Sequence, residues 1–244
     1  MRRITLTGDD LAGFSAPGPA DHVKVFFPDP DTGELVVPSL GPGGARPPEP
    51  GTSISRDYTP LAFRAEGASG PELDLDFVLH GLEWPASEWA AGATSGDRLV
   101  VAGPRGSALA PVGVSDAVLV ADETALPAVS RWLDAFAPEI PVTALLFAAD
   151  AETAGYLPKD RQTFVRWITG PDREREVEAA VRTLTITPGT FVFLAGEAAA
   201  IAPLRRYLRR ESGLAKEQVD AHGYWKRGVI ALDHHAPLDP LDPD

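Results

Sequence analysis

The sequence predicts two domains of different class, an antiparallel β-barrel followed by an α/β domain built on a parallel sheet. In the first half, short alternating segments separated by turn residues recur at regular spacing, which is typical of a small barrel. In the second half, apolar strand segments alternate with helical segments, which indicates a parallel sheet. The pattern changes within residues 106–115. We therefore expect domains at residues 1–110 and 111–235, followed by an acidic tail at 236–244.

The barrel strands are predicted from period-two alternation and from the turns between them. They lie at residues 3–7, 22–27, 56–60, 73–80 and 97–102. A Pro/Gly-rich loop at 38–51 and a short helix at 87–93 lie between some of them. Pro60 has no N–H to donate, so its strand ends there or lies at a sheet edge.

The α/β domain is predicted from apolar runs that precede helical segments. Its strands are expected at residues 117–121, 142–148, 163–169 and 190–195, and its helices at 124–136, 174–183 and 198–211. Gly213 follows the last helix, in a position that suits a helix C-terminus.

Composition excludes several classes of function. The formal net charge of −13 argues against nucleic-acid binding, which needs a basic face. The chain has no cysteine, which excludes disulfides, thiol nucleophiles and cysteine-held iron–sulfur clusters. Without an apolar run of membrane-spanning length or a signal-peptide core, we expect a cytoplasmic protein. The tail is expected to be frayed.

The most unusual stretch is Arg56-Asp57-Tyr58-Thr59-Pro60. In an extended chain, Arg56 and Tyr58 project to one face and Thr59 to the other. Together they offer a cation for a phosphate, a flat ring for a planar cofactor and a hydroxyl for a polar ring edge. Taken alone, such a run is more often an ordinary half-exposed strand.

Two further segments offer places for a ligand. His80-Gly81 ends one strand, and the run from Pro85 to Ser87 opens a short helix whose free N–H groups could meet a phosphate. A capped surface helix is the alternative. Asp122-Glu123-Thr124 ends the first α/β strand and Gly196-Glu197 ends a later one, where open sheets bind ligands. Simple helix capping by Asp122 or Thr124 is the alternative there.

Two cationic segments stand out in this acidic chain. Arg205, Arg206, Arg209 and Arg210 form one helical stripe, which is either an anion site or a solvated face. The segment 223–228 combines two aromatic residues with Lys226 and Arg227. No metal-ligand spacing and no nucleophile triad is present among the five histidines and their surroundings.

Taken in order, these segments resemble the siderophore-interacting protein family, flavin-dependent ferric-siderophore reductases of the ferredoxin-reductase-like class. The segments that carry the resemblance are 22–28, 56–59, 76–81, 85–90, 96–97, 103–106, 122–128, 196–197 and 224–228. It spans residues 2–228. It implies an N-terminal Greek-key barrel that holds FAD and an α/β domain that receives NAD(P)H. Reduced flavin then passes electrons to Fe(III) in a siderophore.

The resemblance also implies roles for individual residues. Arg56, Tyr58 and Thr59 would contact the isoalloxazine and ribityl groups of FAD, and His80, Ala86 and Ser87 its phosphates and adenosine side. Asp122, Glu123, Thr124, Gly196 and Glu197 would line the nicotinamide-side cleft. Lys226 with Arg227 would act at the catalytic end, drawing in an anionic ferric chelate.

Three departures from the family pattern bear on FAD. Leu61 stands where the family has an arginine facing the pyrophosphate, and Arg64 is the substitute to consider, although it lies on the opposite strand face. Trp84 replaces a glycine beside the phosphates. The chain starts where the family's second strand starts, so either the first barrel strand is missing, the start is misplaced, or a partner covers the edge.

We expect a ferric-siderophore reductase. Two alternatives remain open: a same-fold binding module that no longer holds FAD stably, and a flavin reductase acting on another acceptor. The sequence leaves the electron donor open among NADH, NADPH and a ferredoxin.

Overall fold

The computed structural model describes residues 1–42, 44–79, 85–157, 163–230, 232 and 237–242. The chain divides into two compact units, Met1–Ala108 and Leu109–Asp244. None of the helices in these described ranges has the length and apolar character needed to cross a bilayer.

The first unit is antiparallel. Its elements in chain order are β1 Arg2–Thr7, β2 Val23–Phe27, β3 Ser39–Gly41, β4 Gly44–Arg46, β5 Ile54–Tyr58, β6 Pro60–Gly67, β7 Gly70–Phe77, α1 Pro85–Gly92 and β8 Val100–Ala102. Two three-stranded sheets, ordered β1-β7-β6 and β5-β2-β8, make up the barrel, and β3 and β4 form a separate hairpin.

The core of this unit follows from alternation along β7. Leu73, Leu75 and Phe77 are fully buried and pack with the apolar side chains of β2. The residues between them carry charge and face the other side of the sheet, where Asp76 pairs with the Arg3 guanidinium at 2.8 Å. One strand thus contributes both to the apolar core and to the ion pairs on its outer face.

The second unit is a five-stranded parallel sheet with the order β11-β10-β9-β12-β13. Its elements are β9 Asp116–Asp122, α2 Leu126–Ala135, β10 Val142–Ala148, β11 Thr163–Thr169, α3 Arg173–Arg182, β12 Thr190–Glu197, α4 Ala198–Arg206 with a π-helical turn Tyr207–Glu211, and β13 Val219–Trp225. The chain leaves β9 toward β10 on one side and later returns to its other side with β12. Such a reversal of strand order is where open α/β sheets bind ligands.

The predicted fold class, an antiparallel barrel followed by a parallel α/β domain, is confirmed. Strand β13 was not predicted, because Asp220, His222 and Gly223 interrupt its apolar pattern. The strand forms nevertheless: its backbone pairs with β12, and it lies at the edge of the sheet.

The acidic tail differs from the frayed end that the sequence suggested. Within residues 237–242, Asp239 forms an ion pair with Arg206, and Asp242 accepts a hydrogen bond from Arg210 Nε at 3.0 Å. The buried Arg205 guanidinium donates to the Asp242 carbonyl. Three of the four stripe arginines therefore bond to tail residues, and the fourth, Arg209, donates to the Leu214 carbonyl.

Candidate functional site

In the first unit, the candidate cofactor residues begin on β5. The Tyr58 ring packs against Phe77, with 4.5 Å between ring centroids, and lies edge-on to Phe27 at 6.2 Å. Burial raises the pKa of the Tyr58 phenol above its usual range, so its hydroxyl stays protonated. Arg56, on the same strand face, is half-buried and donates to the Ser55 carbonyl at 2.7 Å.

Burial also lowers the pKa of the Arg56 guanidinium, because the charged form loses hydration. No carboxylate among the described residues forms an ion pair with it. Thr59 follows directly and is 6% exposed, at the turn from β5 into β6. This short stretch thus carries a partly desolvated cation, an aromatic ring and a hydroxyl within four positions.

Arg64 does not replace the arginine missing at position 61. Its guanidinium donates to both carboxylate oxygens of Asp74, at 2.7 and 2.9 Å, and to Glu72 at 2.9 Å. These bonds raise the pKa of Arg64 further and hold its side chain over β7. Leu61 itself is half-buried and supplies no charge.

The expected phosphate cradle falls partly within the described residues. Ala86 and Ser87 are buried in the first turn of α1, and Ser87 Oγ donates to the Val78 carbonyl at 3.4 Å. His80 and Trp84 lie outside the described residues.

In the second unit, Asp122 at the end of β9 is a buried hydrogen-bond acceptor. Its Oδ1 accepts from the Thr124 N–H at 2.9 Å and the Thr124 hydroxyl at 2.5 Å. Its Oδ2 accepts from the Glu197 N–H at 2.9 Å and the Trp225 indole Nε1–H at 2.8 Å. Burial raises the pKa of Asp122 to about 6, against the opposing effect of these hydrogen bonds.

Glu197 at the end of β12 is a second buried carboxylate. Its Oε2 accepts from the Ala200 N–H at 2.9 Å, which caps the first turn of α4. Its Oε1 accepts from the backbone N–H of Arg227 at 3.0 Å. The preceding Gly196 has φ 147°, and a Cβ there would lie 2.6 Å from the Asp122 carboxylate, so glycine is required.

The two candidate catalytic cations, Lys226 and Arg227, are exposed. The Arg227 guanidinium pairs with Glu174 of α3 at 2.9 Å. Within the part of the chain that the structure describes, no carboxylate pairs with the Lys226 ammonium. Glu123 is half-buried beside Thr124.

Sequence reasoning missed the partners of this loop. Trp225 was noticed only as an aromatic beside two cations, and Glu174 carried no signal at all. Across the described residues, no three histidine, aspartate or glutamate side chains converge to hold a metal ion. The site in this unit is thus a carboxylate network with an exposed cation at its edge.

Comparison with known proteins matches each of the two units to a family model. Residues 1–108 match the model of the siderophore-interacting FAD-binding domain, and residues 114–228 match that of the siderophore-interacting protein. The chain is 32% identical over 240 residues to the ferric vibriobactin reductase of Vibrio cholerae, covering 96% of this chain and 87% of the relative. This protein belongs to the siderophore-interacting protein family.

Two further relatives agree. The NADPH-dependent ferric-chelate reductase of Escherichia coli is 34% identical over 229 residues, which cover 92% of this chain and 87% of the relative. The crystal structure of a siderophore utilization protein from T. fusca aligns with a TM-score of 0.85 at 38% identity, covering 96% of this chain and 90% of that chain. The first unit is therefore the FAD-binding domain of this siderophore-interacting protein.

The first unit contains the types of side chain that FAD binding requires. Arg56 is a half-buried cation that forms no ion pair with a described carboxylate, Tyr58 combines a ring with a protonated hydroxyl, and α1 contacts β5, the strand that carries them. Leu61 carries no charge and Arg64 is held by Asp74 and Glu72, so neither adds a cation that a phosphate could use.

We predict that Gly196→Ala lowers the free energy of unfolding by about 1–3 kcal/mol, because the backbone is strained for an L-residue and the methyl group meets the Asp122 carboxylate. Chemical denaturation measures this. Gly155→Ala is the matched control, since a Cβ there meets nothing within 4 Å. Equal stability of the two variants would contradict the prediction.

The raised pKa of Asp122 predicts a pH dependence of stability. The folded pKa of about 6 lies above the ordinary value of 3.8, so the folded state binds this proton more readily between these pH values. The Asp122 contribution to the unfolding free energy therefore grows as pH falls from about 6 to about 4, by up to about 3 kcal/mol. The unfolding free energy of wild type should rise relative to that of Asp122→Asn as pH falls through this range; a difference between the two that stays constant with pH would contradict the assignment.

Proposed function

We propose that this protein reduces Fe(III) held by a siderophore, with NADPH as the electron donor and FAD as the resident cofactor. The observation that carries the proposal is an exposed Lys226 with no carboxylate partner among the described residues, directly after β13, in a chain whose two halves match an FAD-binding and a siderophore-interacting domain. The relatives named above as ferric reductases support the same activity.

The reaction balances with one nicotinamide for two ferric ions. FAD, held by Arg56, Tyr58 and Thr59, would supply the link between a two-electron donor and a one-electron acceptor, so that NADPH and two ferric chelates would yield NADP⁺, a proton and two ferrous ions. Siderophores bind ferrous iron far more weakly than ferric iron, and reduction therefore releases the metal.

Different residues of the chain serve different parts of this reaction, according to their chemistry. We assign Arg56, Tyr58 and Thr59 to the isoalloxazine and ribityl groups, and His80, Ala86 and Ser87 to the phosphates and adenosine side. On the nicotinamide side we place Asp122, Glu123, Thr124, Gly196 and Glu197. Lys226, with Arg227 beside it, attracts the anionic chelate, which the net charge of −13 would otherwise repel.

Donor and location are parts of the same proposal. NADPH is the donor by analogy with the Escherichia coli relative, and a reduced ferredoxin is the alternative donor. The reaction would take place in the cytoplasm, where reduced nicotinamide is available.

A specific observation favours a second candidate function, a binding module of the same fold that does not retain FAD. Leu61 supplies no charge, and Arg64 is held by Asp74 and Glu72.

The absorption spectrum of the purified full chain, before and after incubation with FAD and desalting, separates the two functions. A flavin spectrum that bleaches with NADPH and returns on adding a ferric siderophore supports the reductase; colourless protein supports the binding module. Faster turnover with free flavin or a quinone than with any ferric chelate would instead indicate a different acceptor.

Leu61→Arg is expected to tighten FAD binding about tenfold or more, because a charge-assisted hydrogen bond to the pyrophosphate contributes about 1.5–3 kcal/mol. Titration of the apoprotein followed by flavin fluorescence measures the affinity. Leu61→Gln is the uncharged control. If Leu61→Arg binds FAD no better than Leu61→Gln, the pyrophosphate lies elsewhere.

Lys226→Ala is expected to raise KM for ferric dicitrate, an anionic chelate, about three- to tenfold while kcat changes less than twofold, because the charge attracts substrate and does not transfer electrons. Steady-state kinetics on the FAD-loaded enzyme measure both constants. Lys216→Ala removes another exposed lysine of the same unit and serves as the control. A similar effect on KM for ferrioxamine B, which is cationic, would contradict an electrostatic role.

A further inference from the structure

Two buried carboxylates bind the residues on either side of Lys226, one through a side chain and one through the backbone. Asp122 accepts the indole N–H of Trp225, the residue before it, at 2.8 Å. Glu197 accepts the backbone N–H of Arg227, the residue after it, at 3.0 Å. Both carboxylates are 3% exposed, whereas Lys226 between them is exposed.

The two carboxylates are themselves held by rigid elements. Asp122 ends β9 and Glu197 ends β12, the adjacent strands at the reversal of strand order. The Glu197 N–H donates to Asp122 Oδ2, so the two residues form one connected network. Because a buried carboxylate is unfavourable unless its hydrogen bonds are made, the network keeps its partners in place.

The geometry of β13 brings the loop onto this network. Gly196 pairs with Gly223 and Glu197 with Trp225, so Tyr224 is an extra residue that forms a β-bulge. Bulges redirect the side chains that follow them. Beyond Trp225, the Val229 N–H donates to the Lys226 carbonyl at 3.0 Å and closes a turn around Gly228, which has φ 76°.

We propose that Asp122 and Glu197 are positioning residues that hold Lys226 in place for the anionic ferric chelate by fixing Trp225 and the Arg227 backbone. This inference rests on the proposed function, since it takes Lys226 as the chelate-attracting charge. Both Asp122 oxygens are already engaged by the protein, which suits a supporting role better than direct contact with a ligand. A lysine on a fixed backbone loses less conformational freedom on binding than one on a mobile loop.

Trp225→Phe tests the proposal, because it removes the indole N–H and keeps an aromatic ring. Trp132→Phe is the matched control: its ring is buried in the same unit, and its Nε1 has no hydrogen-bond partner among the described residues. Two measurements are made on the full chain. Hydrogen exchange of the Arg227 amide reports the loop directly, without activity, and KM and kcat are measured for ferric dicitrate with FAD and NADPH.

The expected result is at least tenfold faster exchange of the Arg227 amide in Trp225→Phe and a three- to tenfold higher KM, with kcat changed less than twofold. Trp132→Phe should change neither exchange nor KM. Because Trp225 acts through Lys226, adding Trp225→Phe to Lys226→Ala should raise KM no further.

Two results would overturn the positioning role. One is Arg227 exchange in Trp225→Phe equal to that of wild type; the other is a KM effect that multiplies with that of Lys226→Ala. Failure of the proposed function gives other results. Either wild type reduces no ferric chelate, or Lys226→Ala leaves KM unchanged although Trp225→Phe still speeds the exchange of the Arg227 amide. The hydrogen-bond network of Asp122 and Glu197 would then stabilise the loop without serving catalysis, and the positioning role would be rejected together with the proposed function.

Discussion

The second unit depends on the burial of one carboxylate. Asp122 is 3% exposed, and a carboxylate withdrawn from water is stable only where donors replace its hydration. The donors come from three separate segments: Thr124 after β9, Glu197 at the end of β12 and Trp225 at the end of β13. The strand order places these segments side by side, and their convergence on Asp122 leaves no room for a side chain at position 196.

The first unit pairs its buried carboxylates with arginines. Asp74 and Asp76 of β7 are 7% and 6% exposed, and they pair with Arg64 on β6 and Arg3 on β1. The arginine side chains remain partly exposed, and each pair fixes the orientation of the two side chains that form it. Arg64 is therefore held over β7, whereas Arg56 forms no ion pair with a carboxylate among the described residues.

Anion binding in so acidic a chain requires cations that the chain does not neutralise itself. Three arginines of the stripe on α4 fail this condition, since Asp239 and Asp242 of the tail pair with Arg205, Arg206 and Arg210. The fourth, Arg209, donates to the Leu214 carbonyl. Arg227 is paired with Glu174. Lys226 meets the condition among the described residues of the loop after β13, and its position at the carboxyl edge of a parallel sheet is the one where such folds bind ligands.

The sequence by itself determined the fold class and the family. Period-two alternation in the first half and alternating strand and helix patterns in the second are local properties, and they predicted the barrel, the parallel sheet and the strand ends that carry Asp122 and Glu197. The ordered motifs, from Arg56 to Lys226, identified the family without any single motif being decisive.

Only the tertiary structure decided how these residues are used. Asp122 and Trp225 are 103 positions apart, and their hydrogen bond exists because β9, β12 and β13 are neighbours in the sheet. The pairing of Arg64 with Asp74 and of the tail with α4 likewise depends on which elements lie side by side. Periodicity shows which face of an element is buried, but strand order and register set its partners, and those follow from packing of the whole unit.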